Sequence, residues 1–383
     1  MVNYIAVNGA YFVRNYIRKP IICVYLVLQF SRFSRSDLTI TMSKSNTLTP
    51  RMTGHFVNQE AKHIKCNPLG VEKVAGLMFD AIVNDGFGRK MWEEQGMYPE
   101  GLNEKEIINW VFFLDTVNFS FWPDEGEVKF GIRDKNGKLQ TGYWSLCAAV
   151  NRALNDGIPI IDAEFMANAT MEQAEMIFKS DTKGKIPLLD ERLKALNEAG
   201  RVLLEKFSGY FSFCVTQAGK DVQKLLDIIV DNFASYRDMT EYKNKPVSFY
   251  KRAQVLISDI WTCMRGKGLG EFHDMQQITM FADYRVPQAL VAFDVLQYSE
   301  ELKSILRNRI PIAPGDELES EIRGMCIYGC DMVVEKIEEM ALRAEKKIEV
   351  NAMLVDNFLW GWARENRPLV DKLPFHRCRT IYY

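Results

Sequence analysis

The sequence predicts a mainly helical fold with one small β-hairpin. Apolar residues recur at intervals of three and four over most of the chain, helix-start residues stand ahead of those runs, and an Asn-Gly pair lies between two short strand-like runs. From Leu69 the residues Val71, Val74, Ala75, Met78, Phe79 and Ile82 mark one face of a first helix, which Asn84-Asp-Gly-Phe-Gly ends. Asn103, followed by Glu106, has the spacing of a capping box for a second helix running into Trp110-Val-Phe-Phe. Val128-Lys-Phe-Gly-Ile and Gln140-Thr-Gly-Tyr-Trp flank Asp134-Lys-Asn-Gly-Lys, where Asn136-Gly137 supplies the positive-φ turn of a hairpin. Beyond it the pattern predicts helices at 146–155, 170–179, 187–206, 219–233, 248–265, 274–281, 286–296, 299–308, 316–345 and 349–365. Short Gly, Pro and Asn connections separate them, and no internal repeat is visible, so one helical domain over 42–383 is expected, with two lobes and a cleft as a variant.

Composition narrows the function classes. The 383 residues are 47% hydrophobic and 12% aromatic, enough for a sizeable core. Forty-eight basic and 50 acidic residues leave a formal net charge of −2, without the clustered cations that a large nucleic-acid surface needs. The eight cysteines form no C-x-x-C pair; Cys326 and Cys330, four apart, read as buried free thiols on one helix face. The four histidines have no metal-site spacing, so neither a metal nor another cofactor is expected.

Residues 1–41 stand apart. They carry Arg14, Arg18, Lys19, Arg32 and Arg35, no acid before Asp37, and an apolar run from Ile21 to Phe30 that is short for a bilayer span. An upstream extension ahead of a start at Met42, a mitochondrial presequence and a membrane anchor are the three readings. The first favours a cytoplasmic protein, the second a mitochondrial one.

Several phrases are long and chemically unusual: Val117-Asn-Phe-Ser-Phe-Trp122, Gly142-Tyr-Trp-Ser-Leu-Cys-Ala-Ala-Val-Asn-Arg152, Phe249-Tyr-Lys-Arg-Ala-Gln254, Ile278-Thr-Met-Phe-Ala-Asp-Tyr-Arg-Val-Pro-Gln288, Glu321-Ile-Arg-Gly324 and Pro374-Phe-His-Arg-Cys-Arg-Thr-Ile-Tyr-Tyr383. Together they resemble the queuosine salvage protein family from about Thr49 to Tyr383. The resemblance implies hydrolysis of queuosine 5′-monophosphate to queuine, and a fold similar to helix-hairpin-helix DNA glycosylases. It implies a small-molecule substrate, with neither nucleic acid nor membrane as partner. Two other classes remain: a non-enzymatic helix-hairpin-helix module binding nucleotide or tRNA, and a helical scaffold.

Asp283 stands between aromatics at a helix start, with Pro287 in the first turn. One reading makes it a helix cap; the other makes it the anion that stabilises positive charge on the ribose as an N-glycosidic bond breaks. The matching motif favours the second. Lys251, thirty-two positions earlier, either holds a 5′-phosphate or pairs with the catalytic carboxylate, or is a solvated charge; Arg252 beside it cannot share the same face. The guanine-like edge of queuine offers adjacent N–H donors that a carboxylate accepts in pairs. Asp356 is assigned to that edge, with Phe281 and Trp360, four residues after Asp356, covering the ring; a buried Asp356 satisfied by backbone or by Arg377 is the competing reading. Tyr284, Asn118, Phe119 and Trp122 complete the candidate lining. The resemblance places Gln95 where the family carries a histidine, within Glu93-Glu-Gln-Gly-Met-Tyr98, the stretch that matches least. Glu321 and Arg323 read as a structural charge pair on one helix.

Overall fold

The computed structural model describes residues 46–85, 87 and 97–383; the segment 1–41 and Gln95 lie outside them. Helix α1 (Pro50–Glu60) is capped by Thr49, whose hydroxyl accepts the Met52 N–H, and has Pro50 in its first turn. Strand β1 (Ile64–Cys66) and α2 (Pro68–Asp85) precede α3 (Glu104–Thr116). The expected capping box at α3 is present: the Asn103 side chain accepts the Glu106 N–H, and the Glu106 carboxylate accepts the Asn103 N–H at 2.8 Å.

The predicted hairpin forms, but it is smaller. Strands β2 (Gly131–Arg133) and β3 (Leu139–Thr141) pair antiparallel with Ile132 opposite Gln140. Only Gly137 of the Asn-Gly pair has positive φ, at +77°; the turn is closed by Gly137 N–H donating to the Asp134 carbonyl. The Asp134 carboxylate accepts the N–H groups of Asn136 and Lys138 and the amide of Gln140, which fixes the loop. Gly142, at φ +65°, then redirects the chain, so Tyr143 and Trp144 open α4 (Tyr143–Asn155) instead of ending a strand.

Short helices α5 (Ala163–Asn168) and α6 (Met171–Ile177) lead to α7 (Leu189–Lys206), α8 (Phe211–Ala218) and α9 (Val222–Asn232). The sequence pattern missed α8. It also missed β4 (Met239–Tyr242) and β5 (Lys245–Ser248), which pair antiparallel across Lys243 and Asn244, both at positive φ as a two-residue hairpin turn requires. Helix α10 (Lys251–Cys263) starts three residues later than predicted, because Tyr250 adopts φ +47°. The helix expected at 274–281 is a single turn at Met275–Gln277 followed by extended chain. Helix α11 (Val286–Ala292) ends early at Asp294, φ +61°, and Leu296–Tyr298 forms β6, antiparallel to β1. The chain closes with α12 (Glu300–Arg307), α13 (Glu317–Arg343), α14 (Ala352–Glu365) and α15 (Arg367–Val370).

Packing explains why these elements hold. Helix α3 is buried from Ile107 to Thr116, with Phe112 stacked on Phe211 at 4.3 Å. Helix α13 lies close against α1 through facing glycines: a Cβ on Gly324 would meet Val57 Cγ2 at 2.5 Å, and one on Gly54 would meet Ile327 Cγ2 at 2.8 Å. Cys326 and Cys330 are buried free thiols on α13, as their spacing predicts. Among the described residues no helix is long and apolar enough to cross a membrane, and no cluster of three or more His, Cys, Asp or Glu side chains could hold a metal.

Candidate active site

A cleft with about 1230 Å³ of empty space, counted out to its open mouth, brings together residues from distant parts of the chain. Helix α10 contributes Lys251, Val255 and Asp259, one stripe at spacings of four. Helix α14 contributes Asp356, Asn357, Trp360 and Arg364 on a second stripe. The extended stretch before α11 supplies Phe281, Asp283, Tyr284 and Arg285.

That stretch is extended because side chains from three helices take up its backbone groups. Gln254 of α10 accepts the Thr279 N–H at 2.8 Å, and Asp356 of α14 accepts the Phe281 N–H at 3.0 Å. Arg323 of α13 donates Nε–H to the Ala282 carbonyl at 3.0 Å. These bonds replace those of a helix, so apolar spacing alone could not have shown the break.

Asp283 both bonds to the start of α11 and faces the cleft. Its Oδ1 accepts the N–H groups of Arg285 (2.7 Å) and Val286 (2.9 Å), capping α11, while Oδ2 makes no hydrogen bond among the described residues. Asp283 lines the cleft and is half-buried. Two bonds to one oxygen immobilise the carboxylate and leave the other without a hydrogen bond among the described residues.

Lys251 lines the same cleft at 8% exposure, and its ammonium has no ion pair among the described residues. Its backbone N–H donates to Asp238 Oδ2 at 3.0 Å. Arg252 points elsewhere: its guanidinium donates to the backbone carbonyls of Asp115, Thr116 and Ser235 in the core. Only the lysine of the pair therefore faces the cleft.

Asp356 is 4% exposed, with Oδ2 engaged by the Phe281 N–H and Oδ1 without a hydrogen bond among the described residues. Burial pushes its pKa well above the usual carboxylate range, and the Asp283 charge adds to that; the Phe281 N–H and Lys251 oppose it. Phe281, Tyr284 and Trp360 line the cleft beside it, as do Asn118 and Trp122. The backbone partner in the competing reading of Asp356 is real, but Arg377 is not: its guanidinium lies over the Trp122 and Phe375 rings.

Phe119 is a correction. It is fully buried outside the lining, its ring between the guanidinium groups of Arg192 (4.4 Å) and Arg252 (5.1 Å), and Phe121 lines the cleft instead. The expected Glu321–Arg323 pair is a second correction. Glu321 accepts the backbone N–H groups of Lys62 and His63, whereas Arg323 binds both oxygens of Asp238, at 2.9 and 2.5 Å, and Glu319. Residues two apart on a helix do not share a face. Through these bonds one buried guanidinium ties the residue preceding Asp283 to the carboxylate that holds the Lys251 N–H. Glu319 in turn accepts the hydroxyl of Tyr383, another lining residue.

Sequence reasoning also missed a group of cations. Lys129, Arg285, Arg364 and Arg367 line the cleft, and among the described residues the carboxylate within ion-pair distance of this group is the exposed Asp371, 3.6 Å from Arg285. Burial, then Arg367, brings the Arg364 pKa down to about 10; burial, then Arg285, lowers that of Arg367. Such mutual repulsion is relieved by a bound anion. Arg364 follows Trp360 at four residues, so the α14 stripe was itself a usable signal for it, whereas Arg367 opens α15 beyond the end of that stripe.

The arrangement offers a fixed carboxylate oxygen, a second carboxylate with aromatic walls, and a cationic end, which suits an anionic heterocyclic ligand. Comparison with known proteins agrees. Residues 98–383 match the model of a family described as queuosine salvage protein. A mouse protein named queuosine 5′-phosphate N-glycosylase/hydrolase is 43% identical over 339 residues, covering 88% of this chain and 99% of that protein. Proteins of the same name from Bos taurus and Sphaerobacter thermophilus are 42% and 38% identical, covering 88% and 76% of this chain and 99% and 85% of their own lengths. A family match over most of the chain, on a cleft built from its most distinctive phrases, places this chain in the queuosine salvage protein family.

Proposed function

We propose that this chain hydrolyses the N-glycosidic bond of queuosine 5′-monophosphate, releasing queuine. The observation that carries the reading is the free Oδ2 of Asp283, set in a cleft with the buried Asp356 and a cationic end, in a chain similar over most of its length to proteins named for this reaction. Water adds to C1′, the C1′–N bond breaks, and one proton of the water passes to the departing base. Positive charge develops on C1′ and the ring oxygen on the way, and Asp283 stabilises it electrostatically. Lys251 supplies the counter-charge that lets neighbouring buried acids ionise when substrate arrives.

Asp356 takes the paired N–H donors of the base, with Phe281 and Trp360 along its faces. Arg285, Arg364, Arg367 and Lys129 take the 5′-phosphate, which gives their unbalanced charge a partner. Queuine is a 7-deazaguanine, so the atom a purine glycosylase can protonate at position 7 is carbon, and leaving-group help must come from donors near the base carbonyl or N3. The scaffold is read as one of the helix-hairpin-helix glycosylase kind, supported by a catalytic carboxylate that caps a short helix within a mainly helical frame.

The test is a product balance. Purified protein given queuosine 5′-monophosphate should yield queuine and ribose 5-phosphate in equal amounts, with guanosine 5′-monophosphate left intact. Equal cleavage of the two nucleotides would refute the substrate assignment, and salt-dependent polynucleotide binding without base release would return the non-enzymatic reading.

A further inference from the structure

Asp259 has no part in the chemistry above. It lines the cleft on the α10 stripe, two turns or about 12 Å along the axis from Lys251. It is 5% exposed. The Tyr143 hydroxyl donates to its Oδ2, Oδ1 makes no hydrogen bond among the described residues, and no cation there comes within ion-pair distance. Among the described residues, Lys251 is the cation whose charge reaches it at longer range. Behind it lie the buried Asp115 and the thiols of Cys147 and Cys263. The Tyr143 ring, also in the lining, meets Trp360 edge-on at 6.4 Å. A buried carboxyl with a free oxygen and aromatic neighbours, open to a ligand cleft, is a receptor for an alkylammonium group.

We infer that Asp259, held by Tyr143 and walled by Trp360, forms the subsite for the protonated secondary amine in the side arm of the base. This rests on the reading that queuosine 5′-monophosphate is the substrate. The arm joins the 7-deazaguanine ring to a cyclopentenediol through a methylene-linked secondary amine, an alkylamine of the kind that is protonated at neutral pH. The subsite makes Asp259 the residue that separates this substrate from ordinary guanine nucleotides, which have nothing to place there and would leave the carboxyl unpaired.

The experiment measures binding of three free bases to the full chain: queuine, 7-aminomethyl-7-deazaguanine, which keeps the cation without the ring, and 7-deazaguanine, which has neither. The wild type should bind the two cationic bases roughly tenfold or more tightly than 7-deazaguanine, the size of one charge-assisted hydrogen bond. Asp259→Asn should abolish that preference and leave 7-deazaguanine binding unchanged. Tyr143→Phe, which keeps the carboxyl and removes the hydroxyl that donates to it, should weaken the preference while sparing 7-deazaguanine, and serves if Asp259→Asn fails to fold. Equal losses for all three bases, or none, would overturn the subsite even while queuine release stands; a wild type that neither binds queuine nor releases it would overturn the substrate reading as well.

Discussion

Asp283 combines a structural bond through one carboxylate oxygen with a place in the cleft lining, and its proposed charge role can be separated from that bond by substitution. Asparagine caps a helix as well as aspartate does, so Asp283→Asn should keep α11 intact while removing the anion, whereas Asp283→Ala should also lose about 1 kcal/mol of stability with the cap. Thermal unfolding of the two variants separates these effects. The capping reading and the catalytic reading were both open in the sequence, since a residue name does not say how many of its oxygens are used.

Asp259 gives a pH signature. Burial pushes its pKa up to about 7, against an ordinary 3.8. Between those values the folded protein keeps a proton that the unfolded chain has released, so stability falls as pH rises through that window and levels off above it. One such group contributes up to about 1.4 kcal/mol per pH unit. Unfolding free energies at pH 5 and 8 should therefore fall more steeply for wild type than for Asp259→Asn; parallel curves would show that this carboxyl titrates normally. A ligand-binding acid that weakens the empty fold is the expected pattern when function opposes stability.

At the scale of elements, helix stripes were the most legible feature. Asp356 and Trp360 were found from spacing, and the same spacing applied to Lys251 would have given Val255 and Asp259. What could not be read was backbone held by distant side chains, as at Thr279–Ala282, or strands only three or four residues long that pair across the chain, as β1 does with β6. The Lys243-Asn244 turn left a faint signal in its Asn, but lysine seldom takes positive φ. Arg252 looked like an alternative to Lys251 until the carbonyls around it were visible.

Two predictions belong to elements. Gly324→Ala would press a methyl onto Val57, a stiff and fully buried side chain, and should cost about 1–3 kcal/mol as α13 is forced from α1. Because Arg323 is the neighbouring residue, turnover should fall with it, and unfolding and activity assays on the same preparation test both. At the end of α14 and the start of α15, Arg364→Met and Arg367→Met should raise KM for queuosine 5′-monophosphate by about tenfold or more while leaving the unphosphorylated nucleoside unaffected. A matching loss for both substrates would place the phosphate elsewhere.

At the scale of the whole molecule, the mainly helical class followed from periodicity, but the site depends on three pieces of chain meeting far from one another in sequence. The buried Arg323–Asp238 pair is the clearest case, joining α13 to the segments that carry Lys251 and Asp283. Nothing local marks such a pair, and the one charge partner proposed for Arg323 from sequence, Glu321, turned out to serve the backbone of Lys62 and His63. The mouse relative matches 88% of this chain and 99% of its own length, and the family match covers 98–383, so residues 1–41 are expected to be dispensable for hydrolysis. A protein starting at Met42 should hydrolyse the nucleotide at the full-length rate, measured as queuine release.

Asp283 is proposed to supply the charge for N-glycoside hydrolysis. The most direct measurement is single-turnover release of queuine from queuosine 5′-monophosphate by wild type and Asp283→Asn, with nucleotide binding followed on both. A loss of about 10²–10⁴-fold in rate is expected for the variant, with binding retained. An Asp283→Asn protein that releases queuine as fast as wild type would contradict it.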